Sequence, residues 1–483
     1  MPFVLSAFLT GALLALAIPP LPLGPLLPII LAIAFHSLMG LTPKRAALWG
    51  FLSGIPQYAG SLFWILSVGK VGPVLLIVPA VLLLVAYMSA WSAVWAYLFS
   101  LCARRKHGLL FFPFVWAGVE ILRTRGELAF PWEHLGYDLG GHVALIQGAA
   151  WIGVFGMGVL LVASGLLLAA AWERRLPRLV AAGVLGFWIL WAAAGWRVSQ
   201  DVPTGPSFKV AVVQPAVPQT KKWNEAYFAG VMEKTFAAGR RVKKPVDLVA
   251  FPETAMPDYW PLRPLQTLRL GMLTDSLKTD LVIGALDFDR DEKSPKGAWI
   301  RNSAFLLSPG QGKRMRYDKI FLVPFGERVP FDFLPLLNQV DLEQGGFSAG
   351  HEMMSRVTAG VSWSPSLCYE VIYPQLLRMV NHSGGRVLVN LTNDGWFGQS
   401  IGPWQHFNIQ RFRAVESGVA LVRAANTGVS AITDARGNIL AQSRLMSDTV
   451  LEARVTAGPA GGSFYARNGG WIEMLLLGLA IAS

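Results

Sequence analysis

Apolar residues run in long blocks through the first 200 positions and in short ones after that. A helix that crosses a bilayer needs about 20 mostly apolar residues. Seven blocks approach that length, over roughly 3–19, 22–41, 46–67, 72–101, 109–122, 143–172 and 178–196. The first lacks a basic leader and is followed by six more, so it reads as a retained span and not as a signal peptide. The block 72–101 is long enough to tilt or to include an interfacial turn. At Asp201-Val202-Pro203-Thr204-Gly205-Pro206 the pattern changes to that of a linker.

Beyond the linker, short β-rich runs recur at Lys209–Val213, Leu248–Phe251, Leu281–Gly284, Ser303–Leu307, Gly360–Leu367, Val387–Leu391, Val419–Ala424 and Val429–Asp434. Helical stretches are predicted between several of them, at Glu225–Arg241, Leu265–Lys278, Pro374–Ser383 and Gln405–Ser417. Buried strands alternating with helices predict an α/β domain over 203–465, with helices covering the sheet. A last apolar run, Trp471–Ala482, predicts a C-terminal membrane helix within 469–483, shorter than the other spans. The expected architecture is a multi-pass helical membrane bundle (1–200), one α/β domain outside the cytoplasm, and a returning helix.

Composition agrees with a membrane chain: 53% of residues are hydrophobic and 15% charged, with a mean hydropathy of +0.43. The net charge of +12 is assigned to basic loops on one membrane face and not to nucleic acid. Lys44 and Arg45, then Arg104, Arg105 and Lys106, then Arg174, Arg175 and Arg178 fall in alternate loops. The positive-inside rule puts these loops and the N-terminus in the cytoplasm, and the polar domain on the opposite side. Between spans five and six, Arg123 to Tyr137 mixes aromatics with charges, which suits the headgroup layer or a lip that holds lipid headgroups. Glu120 is placed to pair with Arg123 at helical spacing.

The candidate chemistry lies in the polar domain. Asp247-Leu248-Val249-Ala250-Phe251-Pro252-Glu253 is a strand ending in a carboxylate. Tyr317-Asp318-Lys319 presents a lysine before an apolar run, and Ser366-Leu367-Cys368-Tyr369-Glu370 ends a run on a thiol. Taken singly, Glu253 also suits a helix cap, Lys319 a solvated surface and Cys368 a buried apolar site. Together at strand ends they suit a base, a charge stabiliser and a nucleophile for acyl transfer through a thioester. Cys102 falls in a basic loop, so it and Cys368 are not expected to pair. No histidine lies beside Cys368 in the sequence, and the seven histidines show no metal-ligand spacing, so neither a metal nor any cofactor is expected.

These motifs, with Asn390-Leu391-Thr392-Asn393-Asp394-Gly395-Trp396-Phe397-Gly398 and Arg423-Ala424-Ala425-Asn426-Thr427-Gly428, resemble the carbon–nitrogen hydrolase (nitrilase) superfamily. The flanking spans and the run Pro324-Phe325-Gly326-Glu327 resemble its membrane-bound branch, the apolipoprotein N-acyltransferase family. The resemblance implies an αββα sandwich in the periplasm, carried by the inner membrane of a bacterium. It implies transfer of a phospholipid sn-1 acyl chain, typically from phosphatidylethanolamine, to the α-amine of the diacylglyceryl-cysteine that begins an apolipoprotein. By motif, Glu253 is the base, Lys319 the oxyanion and thiolate stabiliser, and Cys368 the nucleophile. Glu327, Tyr369 and Glu370 support the site, and Trp223 lies on a loop over it. Trp363, Trp396, Phe397 and Trp404 are candidates for an acyl channel. A monomer suffices for all of this. The competing readings are a membrane-tethered amidase or nitrilase, and a catalytically inactive lipid-binding or transport protein.

Overall fold

The computed structural model describes residues 2–70, 74–201, 203–243, 245–292, 294, 297–332 and 346–482. Each of the seven apolar blocks holds a helix: Phe3–Ala17, Leu27–Leu38, Pro43–Leu62, Val74–Cys102, Gly108–Arg123, Ala149–Trp172 and Leu179–Ser199. Among the described residues, three are long and apolar enough to cross a membrane, by length and composition: Ile77–Cys102, Ala149–Trp172 and Leu179–Ser199. Phe3–Ala17 and Gly24–Leu38 are shorter apolar helices. The block 143–172 divides, because a short turn at Val143–Ile146 precedes the long helix and Gly153 within that helix takes a positive φ of 65°. Cys102 is buried at the end of a helix and not in a loop.

The polar domain contains two sheets. The first has the order Thr449–Thr456, Ser207–Gln214, Leu248–Ala250, Asp280–Arg290, Ala298–Ser308, Gly312–Asp318, with Met256–Tyr259 pairing alongside Asp280–Arg290. The second runs Ile439–Gln442, Ala431–Thr433, Ala420–Ala425, Val387–Thr392, Val361–Leu367, Arg356–Thr358. The central pairings are parallel and the outer ones antiparallel. The central strands are buried on both faces, which is why they read as continuous apolar runs.

Side chains alternate between the two faces, as strand geometry requires. Val210, Val212, Val387, Val389 and Val422 fill the space between the sheets. Val249, Leu281 and Ile283 point outward beneath the helices Phe228–Arg240 and Pro264–Leu277. Leu388 and Leu421 point the other way, toward the helices Pro374–His382 and Gly402–Ser417, in a core continuous with the apolar bundle. The αββα sandwich therefore rests its second helical layer on the membrane half.

Three expectations are corrected here. The C-terminal helix begins at Phe464, where Ser463 Oγ accepts the Ala466 N–H, and it extends to Ile481. Its apolar run looked short because Arg467, Asn468, Gly469 and Gly470 precede Trp471; Glu473 within the run is buried between Arg125 and Arg378, at 2.8 Å from each. The segment 123–137 is not an open lip. Trp132 and His134 are 1% and 0% exposed, Trp132 Nε1–H donates to Gln405 Oε1 at 3.0 Å, and Arg328 pairs with Glu127. The segment is clamped between the bundle and the domain. Glu120 does not pair with Arg123. It accepts the Leu135 N–H at 2.8 Å, while Arg123 donates to the Glu133 carbonyl at 2.8 Å.

Candidate active site

Three strand ends meet between the sheets' C-terminal edges. Cys368 directly follows Val361–Leu367 and opens a single-turn helix, Cys368–Ile372. Its φ is +46°, in the left-handed region, which costs a non-glycine residue of order 1–3 kcal/mol and is found most often at functional sites. Lys319 directly follows Gly312–Asp318. Glu253 lies three residues past Leu248–Ala250, and Thr254 after it also has φ +46°. The turn at Glu253 presses on Gly284, where a Cβ would come within 2.6 Å of Glu253 Cα and 2.4 Å of the Thr254 nitrogen.

Lys319 bridges two carboxylates. Its Nζ donates to Glu253 Oε1 at 3.1 Å and to Glu327 Oε1 at 2.8 Å. All three side chains are nearly closed to solvent, at 1%, 7% and 11% exposure for Lys319, Glu253 and Glu327. Burial opposes the lysine charge, but Glu253 and then Glu327 outweigh it and raise the Lys319 pKa above its ordinary value. The thiol of Cys368 moves in the same direction for other reasons: burial and then the Glu253 carboxylate push it up, against Lys319. Both shifts favour a neutral Cys368 thiol beside a charged Lys319.

Glu370 joins the nucleophile's turn to the lysine segment. Its Oε2 accepts the Leu367 N–H at 2.6 Å, and its Oε1 accepts the Ile320 N–H at 2.6 Å and the Tyr317 hydroxyl at 2.9 Å. Replacing it with glutamine points an amide at donors that need an acceptor. Each unmet buried donor costs about 1–3 kcal/mol. Glu370→Gln is thus expected to lower the melting temperature measurably and to lose most activity, read by thermal unfolding beside a turnover assay. Glu327 is held in turn by the Val323 N–H at 2.9 Å. Tyr369 is buried, stacks on Trp132 at 6.5 Å and meets Tyr373 edge-on at 5.6 Å. Trp223 is half-buried beside Leu286, Leu322 and Phe347.

Further residues complete the site, some of them outside the motifs quoted above. Asn302, on Ala298–Ser308, donates through Nδ2 to Glu253 at 2.9 Å and to Glu327 at 3.1 Å. The Asn393 N–H donates to Glu253 Oε2 at 3.0 Å. Lys222, buried next to Trp223, donates to the Glu253 carbonyl at 3.0 Å. Burial lowers its pKa to about 7, against the pull of Glu253 and Cys368.

A histidine does lie near the thiol. The ligating atoms of Cys368, Asp394 and His406 fall within 4.8 Å of one another, and sequence distance concealed this. A cation is opposed there, because Asp394 is committed to Arg423 and lies 3.1 Å from His406. Burial works against the Asp394 charge, but Arg423 and His406 hold its pKa down at about 2.

The expected acyl channel is only partly supported. Trp363 is 0% exposed in the core between the sheets, with Nε1–H donating to Thr358 Oγ1. Trp404 packs against the cluster of Phe407, Val429 and Ala431. Phe397 faces the membrane half, at 4.4 Å from Trp64 and 6.2 Å from Trp132.

The sandwich is that of a carbon–nitrogen hydrolase, and the profile of that family (Carbon-nitrogen hydrolase) matches residues 209–461. The N-terminal domain profile of apolipoprotein N-acyltransferases matches residues 10–167. An apolipoprotein N-acyltransferase of Geobacter metallireducens is 37% identical over 96% of this chain and 91% of its own length. One from Brucella melitensis is 32% identical over 99% and 94%. A solved nitrilase-superfamily structure, Nit3 of Saccharomyces cerevisiae, aligns with 55% of this chain and 94% of its own at TM-score 0.40 and 18% identity. The chain belongs to the apolipoprotein N-acyltransferase family. With its apolar helices, it is a membrane protein.

Proposed function

We propose that this chain moves an acyl chain from the sn-1 position of a phospholipid, through a thioester on Cys368, to the α-amine of a diacylglyceryl-cysteine at the start of an apolipoprotein. The observation that carries the reading is Lys319, held between the buried carboxylates of Glu253 and Glu327 behind a strained cysteine. In the first half-reaction Glu253 takes the thiol proton and Sγ attacks the ester carbonyl. The carbonyl electron pair moves to oxygen, where Lys319 Nζ and the Tyr369 main-chain N–H hold the charge. Collapse forms the thioester and expels the lysophospholipid alkoxide, which takes the proton from Glu253. In the second half the α-amine attacks the thioester carbon, Glu253 accepts the amine proton, and the departing thiolate recovers it.

Both substrates are bilayer lipids, so the site has to open at a membrane surface. The packing of Phe397 and Tyr369 against Trp64 and Trp132 of the membrane half supports that placement. Phosphatidylethanolamine is the proposed donor, and a monomer the proposed working unit. The proposed division is seven spans over 1–200, the catalytic domain over 203–465 and a returning helix. The basic loops support a cytoplasmic N-terminus in a bacterial inner membrane, with the catalytic domain in the periplasm. Labelling of an introduced cysteine near Ser207 from the periplasmic side is the expected result; labelling from the cytoplasm overturns the orientation.

The reaction is tested by incubating the detergent-purified chain with phosphatidylethanolamine and a diacylglyceryl-cysteine peptide. A peptide heavier by one acyl chain, formed one-to-one with lysophospholipid, is expected. Free fatty acid without acylated peptide would make the protein a hydrolase. Because one site serves the acyl donor and then the acceptor through an acyl-enzyme, initial rates should give parallel double-reciprocal lines.

A further inference from the structure

Inside the bundle, beneath the clamped segment 123–137, lies a cavity of about 30 Å³. Among the residues lining it are three carboxylates, Glu120, Glu133 and Asp138, and three tryptophans, Trp91, Trp95 and Trp116. Arg123 lines it too, but its guanidinium is turned to the Glu133 carbonyl and to His134 Nδ1, at 2.8 and 3.1 Å. Glu133 is 8% exposed and Glu120 5%. Oε2 of Glu120, Arg123 Nε and Trp116 Nε1 lack a hydrogen-bond partner, and for the two Glu133 oxygens the one side-chain donor at hand is the Ser61 hydroxyl. Unpaired carboxylate oxygens are among the costliest groups to bury.

The mismatch has a definite composition. With Ser61 answering one Glu133 oxygen, two carboxylate oxygens of the lining residues stay unmet, and a primary ammonium has N–H donors enough for both. Indole faces attract such a cation. The two unmet donors call for one oxygen beside it. A water needs about 10–15 Å³ of such space, so a chamber of about 30 Å³ has room for an ammonium group and one water but not for a quaternary ammonium. We infer that the chamber is a binding site for a primary ammonium group. Its source is either the ethanolamine end of an aminophospholipid or a small free amine. Trp132, adjacent in the chain to Glu133, stacks on Tyr369 at 6.5 Å, so occupancy also braces the segment beneath the catalytic turn.

The test is thermal unfolding of the detergent-purified full chain in methylammonium, tetramethylammonium or sodium chloride at matched ionic strength. Methylammonium alone should raise the melting temperature, by at least about 1 °C at saturation. In Glu133→Gln the rise should vanish. If that variant does not fold, the size series on the unaltered chain still decides. Equal melting temperatures in the three salts mean that the chamber holds water only, and overturn the site. Repeating the series in phosphatidylethanolamine and phosphatidylglycerol nanodiscs separates the sources. A methylammonium effect lost only in phosphatidylethanolamine assigns the chamber to the lipid amine; one that persists in both assigns it to a free amine.

Discussion

Cys368→Ala is expected to abolish acyl transfer, by roughly 10⁴-fold or more, while the protein stays folded. The loss is large because, in the proposed mechanism, the bond to sulfur formed in the first half-reaction and broken in the second is what carries the acyl group, and no neighbouring side chain replaces it. His406 and Asp394 lie within reach of Sγ, but Asp394 is bound to Arg423 and His406 Nδ1 is engaged with Asp394 at 3.1 Å. The structural cost should be small. Cys368 is 8% exposed and is packed as a small apolar group, so its truncation falls in the ordinary range of about 0.5–3 kcal/mol. Activity and thermal unfolding measured on the same sample separate the two effects. Residual transfer near the native rate in a folded Cys368→Ala protein would exclude the thioester.

Glu253→Gln and Lys319→Met should both remove transfer, yet push the reactivity of the thiol in opposite directions. Glu253 raises the Cys368 pKa and Lys319 lowers it. Removing the carboxylate charge therefore leaves more thiolate at a given pH, and removing the ammonium leaves less. Alkylation by a small reagent such as iodoacetamide should be faster than native in Glu253→Gln and slower in Lys319→Met. Losing the base is expected to cost about 10²–10⁴-fold in turnover, and losing the oxyanion cation about 10²–10³-fold. Lys319→Met also strands Glu253 and Glu327 without their shared cation, so its melting temperature should fall further than that of Glu253→Gln. A purely structural role for either residue predicts that labelling and stability move together, and not in this crossed pattern.

The parts of this molecule that were legible in the sequence are those where one local pattern reports one environment. Buried central strands such as Val387–Thr392 and Ala420–Ala425 read as apolar runs because both of their faces are covered. Glu253 and Cys368 stood out because each lies at or just past the end of such a run, and Lys319 because it precedes one. The edge strand Thr449–Thr456, partly exposed along most of its length, carries Glu452 and Arg454 and gives no such signal. Asn302, Lys222 and His406 were missed for a different reason. Their partners lie 49, 31 and 12 residues away in the chain, and only the closing of the sandwich brings them together. Trp363 misled because a tryptophan near a nucleophile suits a lipid channel as well as a core, and strand register alone turns it inward. The pairing proposed for Glu120 followed helical spacing. The returning segment offered it a main-chain N–H at 2.8 Å instead, which spacing along one helix does not reveal.

The central claim is that Cys368 carries the acyl chain, and intact-protein mass spectrometry tests it most directly. The purified chain is incubated with phosphatidylethanolamine and no acceptor, then weighed before and after hydroxylamine. A gain of one acyl chain, removed by hydroxylamine and absent in Cys368→Ala, is the predicted result. An unmodified mass, with the thiol intact and still reactive to iodoacetamide, would contradict the account.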